Sequence, residues 1–149
     1  MTAKSTLPNP APILTFGMND QYYGIFVPDV LEVMAMVLLT QTPDSPPEVL
    51  GFADRRGQMM PIIDLRRVFG HPGGAVGVET LFIVVQHATQ QAGLVVDTIN
   101  EVQYIDLNAL ETPIGSGRYI HGIMNYKEHL LQIITIPPLL AAFLPQEGD

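Results

Sequence analysis

The sequence predicts an all-β fold, mainly strands with short helices, arranged as two small barrels. Three observations lead there. Thirteen glycines and thirteen prolines interrupt the 149 residues every few positions, which leaves little room for long helices. Between those breaks the apolar segments are short, rich in β-branched residues and paired across turn-forming residues. The two halves of the chain also match. Residues 24–33 (GIFVPDVLEV) lie over 93–102 (GLVVDTINEV) at an offset of 69; 50–52 lie over 121–123, and 60–65 over 131–136, at an offset of 71. Such a repeat implies two barrels of similar topology. Neither could bury much alone, so their shared face should be apolar.

In chain order, residues 1–12, with Lys4 and Pro8, Pro10 and Pro12, read as a disordered lead-in. Strands are expected over 13–18 and 21–27, joined by the Asn19-Asp20 turn, with a helical turn over 29–32 after Pro28. Residues 33–42 are the most apolar stretch and read as a strand. Ser45, Pro46 and Glu48 have the form of a helix start, as N-cap, first position and third position. Residues 52–54 and 58–63 form hairpin arms around Arg55-Arg56-Gly57. Asp64 can cap a brief helix over 65–69 that Gly70 ends. The segment 71–77 (HPGGAVG) is the one linker-like stretch. A second hairpin follows over 80–87 and 91–96, then a helical turn over 97–101 and a strand over 102–107. The loop 114–117 leads to a hairpin over 119–125 and 130–136. A short helix over 137–144 is stopped by Pro145, and 146–149 read as a tail. The expected organisation is one domain over 13–145, with subdomains at about 13–72 and 78–145.

Composition narrows the function. With 47% hydrophobic and 15% charged residues the chain can build a core, and without cysteine it has neither disulfides nor thiolate metal sites. A formal charge of −8 argues against nucleic acid as the main partner. No apolar run reaches the length of a membrane span, so a cytoplasmic protein is expected. His71, His87, His121 and His129 share no metal-ligand spacing, and the chain has neither a nucleophile motif nor a phosphate loop. No metal, cofactor or catalytic activity is therefore expected. Glu32 and Glu101 occupy equivalent repeat positions, which favours a structural role over acid–base chemistry. Four of the seven basic residues, Arg55, Arg56, Arg66 and Arg67, fall within thirteen positions of each other. On an acidic chain they read as one concentrated cationic spot for a protein partner. The run from Met34 to Leu39 puts apolar side chains on both faces of a strand, so one face should meet the other barrel, a covering loop or a partner.

These residues resemble a known family. Tyr23-Gly-Ile, Val30-x-Glu32-Val33, Pro43, Gly51, Asp54-Arg-Arg-Gly57 and Pro61-Ile-Ile-Asp-Leu-Arg66 are similar to the first half of the CheW-like chemotaxis coupling proteins. Ala92-Gly-Leu-Val-Val-Asp97, Glu101-Val102 and Tyr119-Ile-x-Gly122-Ile123 are similar to its second half. The resemblance runs from about residue 13 to 144 in one order. It implies two five-stranded SH3-like barrels around a common hydrophobic core, and a non-enzymatic adaptor. The implied partners are the tips of chemoreceptors and the CheW-like regulatory domain of a CheA-like histidine kinase, with the protein held at receptor arrays through them and no direct membrane insertion. The family's Asn-Leu-Arg-Gly turn corresponds to Asp54, Arg55, Arg56 and Gly57, so Arg56 inherits its coupling arginine, while Val30 and Glu32 match positions near the receptor-binding groove. With Met34, these residues form the expected protein-binding set. The alternative is a β-barrel module that binds a small molecule or peptide in the groove between barrels.

Overall fold

The computed structural model describes residues 7–112, 114–115 and 117–144. Ten strands make two five-stranded sheets. In chain order they are β1 (Ala11–Met18), β2 (Gln21–Phe26), β3 (Val30–Ala35), β4 (Val49–Arg55), β5 (Gln58–Asp64), β6 (Leu81–His87), β7 (Gln90–Val95), β8 (Thr98–Ile105), β9 (Ile120–Tyr126) and β10 (His129–Ile134). Two helices, α1 (Leu65–Val68) and α2 (Ile136–Phe143), follow β5 and β10. One sheet runs β8-β1-β2-β10-β9 and the other β3-β6-β7-β5-β4. The first, made from both ends of the chain, is the terminal barrel; the second is the central barrel.

This arrangement corrects the expected subdomains. Neither 13–72 nor 78–145 is a barrel, because the third strand of each repeat crosses over: β3 pairs with β6, and β8 with β1. The repeat itself is exact in topology, since exchanging each of β1–β5 with the strand five places later converts one strand order into the other. Each barrel closes through a two-way backbone bridge between its edge strand and the chain beyond the other edge. Thr40 and Phe52 exchange both bonds at 2.8 Å, and Glu111 and Ile123 do so at 2.9 and 2.7 Å, 71 residues later in each case. Closure leaves few open strand edges for unwanted pairing.

Strands alternate between two cores. On β6, Phe82 and Val84 fill the central barrel with Ala53, Met60, Ile62 and Val95, while Ile83 and Val85 face a larger cluster between the barrels. On β1, Ala11 and Ile13 fill the terminal barrel, while Leu14, Phe16 and Met18 join the shared cluster. Leu139 and Leu140 of α2 pack into it too, which is the shared apolar face the repeat requires. Gly24 and Gly93 stand at matched places, opposite Ile133 and Ile62 in the parallel pairings β2–β10 and β5–β7. A Cβ on Gly93 would lie 2.6 Å from Phe82 and 2.7 Å from Ile62, tighter than at Gly24, where it would lie 2.9 Å from Ile13 and 3.1 Å from Ile133. Gly93→Ala should therefore cost about 1–3 kcal/mol by overpacking, and more than Gly24→Ala. Urea midpoints check this; an unchanged midpoint for Gly93→Ala would refute the tight packing.

Several local expectations shift. The lead-in is shorter than 12 residues: β1 starts at the fully buried Ala11, and Asn9 donates to Asp106 and accepts from the Leu107 amide. Residues 1–6 and 145–149, including Pro145 and the expected tail, lie outside the described residues. The helical turn expected over 29–32 is a 3-10 turn over Val27–Asp29, so Glu32 is already in β3. Residues 45–48 form no helix, because the Val49 amide bonds back to Pro46 and the Glu48 carbonyl accepts from Asp64, which starts β4 instead. The helical turn expected over 97–101 is replaced by the first half of β8, drawn into pairing with β1. β3 ends at Ala35, short of the strand expected to reach residue 42.

Candidate functional site

The β4–β5 hairpin turns through Arg56 and Gly57, both with positive φ (54° and 85°), the pairing that matches the twist of hairpin strands. Asp54 steadies the turn by accepting from the Gly57 amide at 2.9 Å. Arg56 is exposed at the tip. Its neighbour behaves differently. On β4, Arg55 shares a face with the buried Ala53, and its side chain is 10% exposed. Its Nε donates to Glu32 Oε2 at 2.9 Å and its Nη1 to Gln91 Oε1 at 3.2 Å; Gln91 in turn donates to Gln86. Arg55 and Glu32 thus close one mouth of the central barrel.

The cationic spot expected from the sequence does not form, because carboxylates take up three of its four arginines. Arg66 is 6% exposed, donating through Nε and Nη2 to Asp64, through Nη1 to Asp97 and through Nη2 to the Gly74 carbonyl. The bond to Asp64 is the main cause that raises its pKa, against the opposing effect of burial. Arg67 pairs with Asp64 from the other side at 3.5 Å. Arg55 pairs with Glu32. Among the described residues, Arg56 alone of the four has no ion-pair partner.

The remaining expected residues are half-buried. Val30 packs on the shared core and Met34 on the central-barrel core. The opposite face of β3 exposes Leu31 and Val33, each at 41%, and Leu38 beyond the strand is 97% exposed. Beside the hairpin lies a cleft of about 450 Å³, lined among others by Phe52, Met59, Met60, Pro61 and Leu144. Leu31, Met59 and Leu144 belong to no motif that marks them in the sequence. Along β3 exposure alternates with period two and separates the outward Leu31 from the inward Val30 and Glu32, whereas β5 changes from exposed to buried after Met59 without alternating. Of the four arginines, one exposed guanidinium without an ion pair thus stands at the tip of the hairpin that borders an apolar cleft. No group of three His, Asp or Glu among the described residues is arranged to hold a metal ion.

The CheW-like domain model matches residues 12–143. The chain belongs to the CheW-like family. This CheW-like chain is 29% identical over 129 residues to the chemotaxis protein CheW of Helicobacter pylori, covering 84% of the chain and 78% of the relative. It is 29% identical over 120 residues to protein FrzA of Myxococcus xanthus, covering 80% and 71%. The crystal structure of the scaffolding protein TtCheW from Thermoanaerobacter tengcongensis superposes with a TM-score of 0.77 at 32% identity, covering 85% of this chain and 89% of that one. Family membership places the CheW-like chain among chemotaxis adaptors. No helix among the described residues is long and apolar enough to cross a membrane.

Proposed function

We propose that the protein is a non-enzymatic adaptor that couples the cytoplasmic tips of chemoreceptors to the CheW-like regulatory domain of a CheA-like histidine kinase, and that these partners hold it at receptor arrays. The observation that carries the reading is the family match from residue 12 to 143, which spans both barrels and includes the β4–β5 hairpin. The contact set consists of Val30, Glu32 and Met34 on β3 with Asp54, Arg55, Arg56 and Gly57 at the hairpin. Within it the division of labour follows from burial. Arg56 meets the partner, while Arg55 and Glu32 hold the hairpin against the barrel mouth. Guanidinium presents five donors in a planar fork and can grip a carboxylate or backbone carbonyls in pairs.

Arg56→Ala should weaken binding to the kinase regulatory domain or the receptor tip by about thirtyfold to a thousandfold, the loss of an interface anchor worth roughly 2–4 kcal/mol. Its folding stability should move by only about 0.5 kcal/mol. Arg55→Ala should do the reverse. It costs roughly 1.5–3 kcal/mol of stability, because charge-assisted bonds to Glu32 and Gln91 are lost. Calorimetric affinity and urea unfolding of both variants check this. Unchanged affinity for Arg56→Ala would make Arg56 a turn residue only.

A further inference from the structure

The repeat relates the mouths of the two barrels residue by residue. Shifting by 69 along the first three strands of the repeat carries Glu32 onto Glu101 and relates Gln91 to Tyr22. Shifting by 71 along the last two carries Arg55 onto Tyr126, Arg56 onto Lys127 and Gln58 onto His129. The backbone registers agree: Arg55 pairs with Gln58 and Tyr126 with His129, while Gln86 pairs with Gln91 and Gly17 with Tyr22. The two mouths therefore share one backbone frame, yet their contents differ.

In the central barrel the frame is filled from within by the Arg55 guanidinium on Glu32 and Gln91. In the terminal barrel Tyr126 replaces that arginine, and a cleft of about 310 Å³ opens, lined in part by Tyr22, Glu101, Gln103, Tyr126, Lys127 and His129. Its walls are aromatic and ordered. Tyr22 stacks on His129 with centroids 4.2 Å apart and planes 8° from parallel. The Tyr126 hydroxyl donates to Gln103 at 2.6 Å, and Gln103 donates to Glu101 at 2.9 Å. The backbone of Glu101 is fixed by the buried Thr15 hydroxyl, which donates to the Glu101 carbonyl at 2.7 Å and accepts from its amide at 3.3 Å. Lys127 does not serve as the missing cation, since its ammonium lies over the Tyr126 ring, 5.3 Å from the centroid. Among the described residues no Lys or Arg lies within ion-pair distance of Glu101.

We propose that the mouth of the terminal barrel is a guanidinium-binding site, taking from outside the group that Arg55 supplies from within the central barrel. The carboxylate occupies the same place in the repeat. The ring faces add cation–π attraction, which favours a planar guanidinium able to stack over a compact, strongly hydrated ammonium. The net charge of −8 draws cations towards the protein. The group comes from an arginine side chain of another protein or from free arginine, and the two sources share this chemistry. The inference does not rest on the adaptor reading, because it can be tested with small probes alone.

The experiment is an amide-resolved NMR titration of the full chain with N-acetyl-arginine amide, free L-arginine and N-acetyl-lysine amide. Saturable shifts centred on β8 and the β9–β10 hairpin are expected with millimolar or tighter affinity for the arginine probes, and weaker binding for the lysine probe. Glu101→Gln should weaken arginine binding by about tenfold, as loss of a charge-assisted bond requires. Tighter binding of the capped probe identifies a protein side chain as the source, tighter binding of free L-arginine identifies the amino acid, and equal binding confines recognition to the guanidinium. As a second measurement, Tyr126→Arg should fill the cleft, abolish probe binding and raise the melting temperature in the Glu101 background but not in Glu101→Gln. Three results would overturn the proposal: no saturable shifts, arginine affinity unchanged by Glu101→Gln, or equal affinity for the lysine probe.

Discussion

Residues 1–74 and 75–149, expressed separately, should each remain unfolded, and the two fragments mixed should assemble into one folded particle. The first holds β1–β5 and the second β6–β10, so each carries an incomplete share of both barrels. Every fragment strand that should lie beside a strand of the other half would present open backbone groups and an uncovered apolar face. The shared cluster, which draws on β1, β2, β5, β6, β7 and α2, would be split as well. Mixing restores all of these contacts, and the cut falls in the exposed segment 72–79, away from every strand. Circular dichroism and NMR dispersion of each fragment, then of the mixture, check this. Two independently stable halves would disprove the exchanged architecture.

Arg66→Ala should cost about 3–5 kcal/mol, the usual loss when one partner of a buried ion pair is removed. Most domains have only about 5–15 kcal/mol of stability in total, so the variant should sit near the folding threshold. The cause is local. Asp64, with its side chain 2% exposed, would keep only the more distant and exposed Arg67 as counter-charge, and the Gly74 carbonyl would lose its donor. Arg66→Lys should recover little, because a single ammonium cannot reach Asp64, Asp97 and Gly74 together. The same bonds tether the segment after α1, so Arg66→Ala should also speed proteolysis within 72–79 at protease levels that spare the parent. Urea midpoints within 1 kcal/mol of the parent, with unchanged proteolysis, would show that the network is dispensable.

The strands, hairpin turns and repeat were legible because they depend on near neighbours. Asn19-Asp20 and Arg56-Gly57 mark turns through their conformational preferences, and Asp64 caps α1 as the cap rule expects. The destination of the third strand in each repeat was not. Val30–Ala35 and Thr98–Ile105 alternate equally well against either barrel, and only distant packing decides between them. The arginine cluster misled for a related reason. Sequence proximity showed four positive charges together. Glu32, which takes up Arg55, and Asp97, which helps to hold Arg66, come from elsewhere in the chain, while Asp64 stands inside the cluster itself and neutralises Arg66 and Arg67 at close range. Alternation could have flagged Arg55, which shares its strand face with Ala53, as Glu32 does with Val30 and Met34.

The crossing of β3 and β8 also sets the order in which the chain can be finished as it leaves the ribosome. The five strands of the central barrel emerge as one uninterrupted run, from Val30 to Val95. The terminal barrel is split around that run. β1 and β2 precede it as a lone hairpin and must wait for β8 and β10, which follow the whole of the central barrel. Pairings this far apart in sequence form slowly, and the waiting hairpin presents two unpaired edges to its surroundings. A pause in translation, a nascent-chain chaperone or a premature stop after β7 would therefore bear on one barrel and leave every strand of the other in place.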